Sequence, residues 1–213
     1  MKTSTNFSFD IVSIAPEITR EQLGTAASAN APDDLYLGLP DGLPDVLFDE
    51  TERLTAGIAT PYDQALALQS WFRDPDEFSY SLEVQSGHDT NAIESFLAIR
   101  TGYCEQFAAT FAAMARVAGI PSRVAVGFTP GTQQEPGWYT VIGKNAHAWP
   151  ELWFDELGWV AFEPTPGRGA PGAESYTGVA TQQDESGISG GGGTGADPLP
   201  GPDPTSPPTV VQN

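Results

Sequence analysis

A single cysteine, Cys104, among 213 residues excludes an intramolecular disulfide, so cysteine usage leaves the redox compartment open. Basic side chains are scarce. Nine Lys and Arg stand against 28 Asp and Glu, for a formal net charge of −19. A chain so charged repels phosphates, which excludes nucleic acid as a partner and direct docking on anionic lipid headgroups. No stretch approaches the ~18 apolar residues of a spanning helix. Met1-Lys2 is followed by polar residues rather than an apolar core segment, so no signal peptide is read. The chain alone is expected to be soluble and to be part of a larger protein. No internal repeat is found.

The organising stretch is Thr101-Gly102-Tyr103-Cys104-Glu105-Gln106-Phe107-Ala108-Ala109. Phe107, Phe111, Met114, Ala115 and Ala118 recur at spacings of three and four, one face of a helix. Gly119 and Pro121 punctuate its end. Cys104 is thus placed in or beside the first turn. Unpaired N–H groups and the helix dipole favour negative charge there, and the thiolate is the reactive form of cysteine.

Before this helix, residues 3–14 alternate polar and apolar (Phe7, Phe9, Ile11) and read as a strand or extended arm. Residues 16–29 can hold a short helix. Leu35-Tyr36-Leu37-Gly38-Leu39-Pro40 reads as an apolar strap on the core. Two helical patterns follow, one from Pro44 to the Gly57 and Thr60-Pro61 breaks, one ending at Asp74-Pro75-Asp76. Phe78 to Val84 alternates as a strand, Gly87-His88-Asp89 is a turn, and Asn91 to Ile99 is a short helix. His88 reads as a solvated loop residue.

After the cysteine helix come strands over 122–128 and 138–142, then a hairpin of 148–154 and 159–163 around Asp155-Glu156-Leu157-Gly158. With Phe154 paired to Trp159, Glu163 faces Pro150, three residues and ~10 Å along the strand from His147. Pro150 would then mark a bulge that closes the gap. Helices followed by antiparallel strands give an α+β fold. Residues 169–213 are rich in Gly, Pro, Ser and Asp and read as a flexible acidic linker. Residues 1–34 then form an N-terminal arm or extension, and 35–168 the domain.

A cysteine acyl-transfer site needs a thiolate, an imidazole that shares its proton, an acceptor that orients the imidazole, and donors for the oxyanion. Cys104 supplies the thiol. His147, in Asn145-Ala146-His147-Ala148-Trp149-Pro150-Glu151, supplies the imidazole. Glu163 is the candidate acceptor, bonding the imidazole at Nδ1–H. The Cys104 N–H is one oxyanion donor. Trp149, on the face of His147 two residues on, is a candidate wall of the site or a packing residue. Gln106 is candidate polar lining near the thiol. Trp138 and Tyr139 are candidates for a substrate groove or for core packing. Arg116 and Arg123 read as structural ion-pair residues. The competing reading leaves Cys104 as a buried small hydrophobe and His147 as a hydrogen-bonded strand residue.

Gly102-Tyr103-Cys104-Glu105-Gln106-Phe107-Ala108, Met114 to Arg123, Val126-Gly127-Phe128, His147-Ala148-Trp149-Pro150-Glu151 and Gly158 to Thr165 together resemble the core of the transglutaminase-like superfamily, in its bacterial membrane-anchored branch. The resemblance covers roughly 35–168. It implies a papain-like α+β core with the cysteine helix packed on an antiparallel sheet. It also implies a Cys–His–Asp triad carried here by Cys104, His147 and Glu163, the last a departure from aspartate. The activity implied is cysteine-dependent acyl transfer on a protein or peptide amide, through a thioester resolved by an amine or water. No cofactor or metal is needed, and no calcium loop is evident. The location implied is extracytoplasmic, in a membrane-anchored parent protein. Two alternatives remain: a cysteine peptidase or amidase with the same triad, and a catalytically silent binding or scaffold domain in cell-envelope assembly.

Overall fold

A computed structural model describes residues 12, 17–84, 90–169, 172–180 and 182–183. The Gly87-His88-Asp89 turn, all of the 3–14 strand except Val12, and the chain from 184 onward lie outside the described residues.

Among the described residues three α-helices precede the first strand: α1 (Arg20–Thr25), α2 (Asp45–Thr55) and α3 (Pro61–Arg73). Thr60 begins α3 by accepting from the Asp63 N–H, with Pro61 at the first helical position, where no donor is wanted. The strand expected over 78–84 shrinks to β1 (Ser79–Tyr80), parallel to β2 (Thr101–Gly102). Its partner explains the length, because β2 is confined between helix α4 (Thr90–Ile99) and helix α5 (Cys104–Val117). Beyond Tyr80 the Ser81 N–H still reaches the Gly102 carbonyl, and the Glu83 N–H turns back to Ser81 Oγ.

The α5 helix closes where the Gly119 and Ile120 N–H groups return to the Arg116 and Ala115 carbonyls. Its inward face, Phe107, Phe111, Met114 and Ala115, is fully buried. Phe72 of α3, Phe78, Phe96 of α4 and Phe162 complete an aromatic core around it, with ring centroids 4.9–6.3 Å apart. The cysteine-bearing helix is therefore held rigidly along its whole inner face.

The main sheet has strands β3 (Ser122–Phe128), β6 (Ala146–Phe154) and β7 (Gly158–Ala161), all antiparallel, with β6 central. Between β3 and β6 the chain makes an excursion, the hairpin β4 (Thr132–Glu135) and β5 (Trp138–Thr140), clamped at its base by Thr129 and Asn145. In β6, Ala148, Leu152 and Phe154 are buried core, while Trp149, Glu151 and Trp153 are half-buried on the opposite face.

The register of the β6–β7 hairpin differs by one residue from the expectation. Phe154 pairs with Gly158 and Trp153 with Trp159, without a bulge at Pro150. The turn itself sets this, with Glu156 in the left-handed region (φ 66) and the Leu157 N–H bonded to the Phe154 carbonyl. The Pro150 carbonyl accepts from the Phe162 N–H, so the donor that proline lacks faces the same strand. There β7 leaves the ladder.

Both chain segments expected to flank the domain contribute packed residues. Leu23 of α1 is fully buried, and Ala27, Ser28 and Asn30 tie down the β6–β7 turn through Asp155 and the Trp153 carbonyl. On the other side of the boundary expected at 168, helix α6 (Glu174–Thr177) buries Tyr176 and Thr177. The Tyr62 hydroxyl donates to the Tyr176 carbonyl, and Gln69 Nε2 to the Thr177 carbonyl. Composition hides this anchor because one aromatic residue is enough to dock it. The strap is split likewise. Leu35 is exposed, whereas Tyr36 packs edge-on against Trp159 at 4.6 Å.

Candidate active site

Cys104 is the first residue of α5, half-buried, with its N–H at the end of the helix where backbone donors have no intrahelical acceptor. The approach to it is tight. A Cβ on Gly102 would lie 2.6 Å from Gln106 Oε1 and 2.7 Å from the Phe96 ring, so only glycine fits. Gln106, expected as polar lining, makes a capping contact. Its Oε1 accepts the Tyr103 N–H at 3.2 Å and caps the helix that carries the thiol.

His147 is buried at the start of β6, opposite Gly127 of β3. Its Nε2 lies 2.6 Å from Glu163 Oε2, with both side chains almost wholly removed from solvent. The acceptor thus sits on Nε2, not on Nδ1 as the sequence reading has it. Nδ1 is buried without a hydrogen-bond partner. Burial, the largest single influence, pulls the imidazole pKa down. The neighbouring Cys104 thiol and the hydrogen bond to Glu163, with the charges of both, more than reverse it and push the value from 6.5 up to about 9.

The length of Glu163 follows from the observed register. Continued past Ala161, that register sets Glu163 opposite Trp149, two residues and ~7 Å along the strand from His147. With β7 off the ladder, the glutamate side chain spans this offset. Its other oxygen, Oε1, accepts the Thr165 N–H at 3.0 Å. The backbone around it is held by α3: Gln69 Oε1 accepts the Glu163 N–H, and Arg73 donates to the carbonyls of Glu163, Thr165 and Arg168. Burial lowers the Arg73 pKa, and the neighbouring Glu163 works against that.

Trp149 walls the imidazole, its ring stacked on His147 at 6.0 Å with planes 27° apart. Its far edge overlies Gly127, where a Cβ would come within 3.0 Å of the indole. Trp138 and Tyr139 form most of β5. Both are exposed, at 73% and 54%, on the hairpin whose base adjoins His147, so neither belongs to the core. Arg116 bonds Gly38 and Ser122, and Arg123 pairs with Glu151 at 2.6 Å over the Trp159 ring. His88 lies outside the described residues. Among the described residues no group of three or more His, Cys, Asp or Glu could hold a metal ion.

Sequence reading missed Tyr80. The β1–β2 pairing sets it beside Gly102, two residues before the thiol. Burial, then the charge of Cys104, raises its pKa, against a hydrogen bond from Arg168. At neutral pH it is therefore an O–H donor. Its only sequence signal was the alternation of Phe78 and Tyr80, which places a residue on a strand but not beside a helix 24 positions on.

The sequence profile of the transglutaminase-like superfamily matches residues 50–164, more than half of the chain. The chain belongs to this superfamily. The uncharacterized protein YebA of Bacillus subtilis is 34% identical over 142 residues, 63% of this chain and 19% of that protein. A protein-glutamine gamma-glutamyltransferase of Pseudomonas aeruginosa is 33% identical over 102 residues, 47% of this chain and 15% of that protein. The crystal structure of the periplasmic domain of TgpA from P. aeruginosa superposes with a TM-score of 0.54 at 30% identity, covering 61% of this chain and 45% of that one. The chain thus spans a fifth or less of the length of these two curated relatives. The superfamily's α+β, papain-like architecture is the one described above.

Proposed function

We propose that this transglutaminase-like domain transfers acyl groups from carboxamides through Cys104. The observation that carries the reading is the buried His147–Glu163 pair, which engages Nε2 and leaves Nδ1 for the thiol. Cys104 Sγ attacks the carbonyl carbon of a glutamine side chain in a protein or peptide. The C–S bond forms as the carbonyl electrons move to oxygen. The Cys104 N–H and the Tyr80 hydroxyl stabilise that oxyanion. The imidazolium Nδ1–H gives its proton to the departing nitrogen, ammonia leaves, and a thioester remains. An amine or water then attacks the thioester, losing its proton to the neutral Nδ1, and the acyl product departs as the sulfur takes up the electron pair. Glu163 keeps the proton on Nε2 throughout and stabilises the imidazolium. A raised imidazole pKa suits this role, because the ring is protonated at neutral pH when the leaving group needs a proton.

The P. aeruginosa glutamyltransferase supports a glutamine donor, and the periplasmic TgpA domain supports an extracytoplasmic site of action. No helix among the described residues is long and apolar enough to cross a membrane.

The test is ammonia release from glutamine peptides, with and without an added primary amine. The wild type releases ammonia, Cys104→Ala does not, and the amine appears in the product if transfer competes with hydrolysis. Equal rates in the wild type and Cys104→Ala, or no release by a protein whose thiol resists iodoacetamide until unfolded, would refute the reading and leave a binding domain.

A further inference from the structure

We infer that a groove along α5 seats an extended acyl-donor polypeptide and holds one apolar side chain, about five residues from the reacting glutamine, in a cavity at its far end. The inference rests on the acyl-transfer reading for the identity of the reacting residue.

Glu105, Ala109, Ala113 and Arg116 lie three or four residues apart and so share one face of α5, beginning beside Cys104. Glu105 and Ala109 are exposed and Ala113 is half-buried, so this face is open and its middle is built of small side chains. Along its far half lies a cavity of about 200 Å³. Ala109 and Ala113 form its floor, with Leu39 and Leu43 of the strap, Ile93 of α4 and Val124 of β3 as walls. Arg116 is at the rim, but its guanidinium is spent on the Gly38 and Ser122 carbonyls and Ser122 Oγ. The cavity therefore selects for apolar groups.

Strand β3 forms the second wall of the groove. Ser122 is bonded to the Ala112 carbonyl, and the strand runs from there to Gly127, opposite His147. It travels from the cavity towards the thiol. On one face it presents Val124, Val126 and Phe128, which are 40%, 78% and 62% exposed, an apolar rail beside the helix. Among the described residues no strand pairs with its outer edge. An unpaired strand edge offers main-chain donors and acceptors in the pattern an extended polypeptide satisfies.

Dimensions choose the occupant. From Glu105 to Arg116 the helix rises ~16 Å, which an extended chain covers in about five residues. A cavity of about 200 Å³ fits one leucine or phenylalanine side chain and falls below the roughly 300 Å³ at which small-molecule sites begin. The cavity and the thiol lie on one helix, so a chain with a glutamine at Cys104 passes the cavity.

The experiment uses the full chain and peptides with one glutamine in a glycine-serine background. A single leucine is placed two to seven residues before or after it. The readout is kcat/KM for ammonia release, as the ratio to the leucine-free peptide for each protein. The wild-type ratio peaks when the leucine stands four to six residues away on one side, on the order of tenfold or more. Ala113→Phe, which fills the cavity, and Ala109→Glu, on the exposed floor, each bring the ratio to one. A flat wild-type profile, or a peak that survives both substitutions, overturns the groove. Affinity of the same labelled peptides for Cys104→Ala separates the two readings. The same spacing preference in binding, without turnover by the wild type, refutes acyl transfer and keeps the groove. A preference that appears only after residues 1–16 are removed assigns the groove to the chain's own N-terminal segment and overturns the proposal.

Discussion

The imidazole of His147 offers the most direct test of the site, because its protonation is decided by opposing influences of known sign. Burial favours the neutral ring, and Cys104 and Glu163 favour the charged one. The net rise from 6.5 to about 9 is worth about 3 kcal/mol, at 1.36 kcal/mol per pH unit. The chain has two histidines, so its ring-proton NMR titration contains two curves, and His147→Ala assigns them. In the wild type the His147 midpoint is expected near 9. Glu163→Gln keeps an acceptor but removes the charge, and the midpoint falls by roughly a unit or more. Combined with Cys104→Ala it falls further, because both charges are gone and burial is opposed only by the neutral amide acceptor. The same titration appears in stability. A folded-state value above the unfolded one stabilises the fold fully below pH 6.5, and that contribution is lost as pH rises through about 9. Unfolding free energies from urea titrations at pH 6 and pH 10 should differ by more in the wild type than in His147→Ala, by up to about 3 kcal/mol. A wild-type midpoint at or below 6.5 would refute the reasoning, since burial would then have won and no imidazolium would stand beside the thiol.

Other outcomes follow from the same geometry. The alkaline limb of kcat/KM falls near pH 9, as the imidazole loses the proton it gives the leaving group, and moves to lower pH in Glu163→Gln. Glu163→Asp withdraws the carboxylate by about one C–C bond, ~1.5 Å, from a contact of 2.6 Å, and should cost at least about tenfold in kcat with little change in urea midpoint. Tyr80→Phe keeps the ring and its packing but removes the oxyanion donor; kcat falls by roughly ten- to a thousandfold while iodoacetamide labels Cys104 at the wild-type rate. Arg73→Ala strips the donor from three carbonyls in the loop that carries Glu163, with a loss of about 3 kcal/mol in unfolding free energy and a matching fall in the His147 midpoint.

Local pattern carried much of the fold. The period of Phe107, Phe111, Met114 and Ala115 is the buried face of α5, and the Gly119-Ile120-Pro121 punctuation falls where that helix ends. Alternation located β3, β6 and β7. It failed for 78–84, because a strand's length depends on its partner, and the partner here is two residues between helices. It placed the β6–β7 register one residue off, because the register is set by a left-handed residue at Glu156 that composition does not announce. Trp138 and Tyr139 show the limit for aromatics. Apolar character argues for burial, yet both sit exposed on a hairpin that nothing among the described residues covers.

The sequence alone singled out the side chains proposed to carry the chemistry: one cysteine at the head of a helix, a histidine at the head of a strand, and a glutamate just past the end of the next. Motif order is local and survives without coordinates. Tertiary structure alone decided how they meet. Which imidazole nitrogen takes the carboxylate depends on the ring's approach, which depends on the sheet register and on the point where Pro150 releases β7. That Tyr80 stands beside Gly102, two residues before the thiol, depends on a parallel pairing across 22 residues, and that Glu163 stays in place depends on Gln69 and Arg73 reaching over from α3. Such contacts join positions far apart in the chain, and no local preference encodes a distance between side chains that only packing brings together.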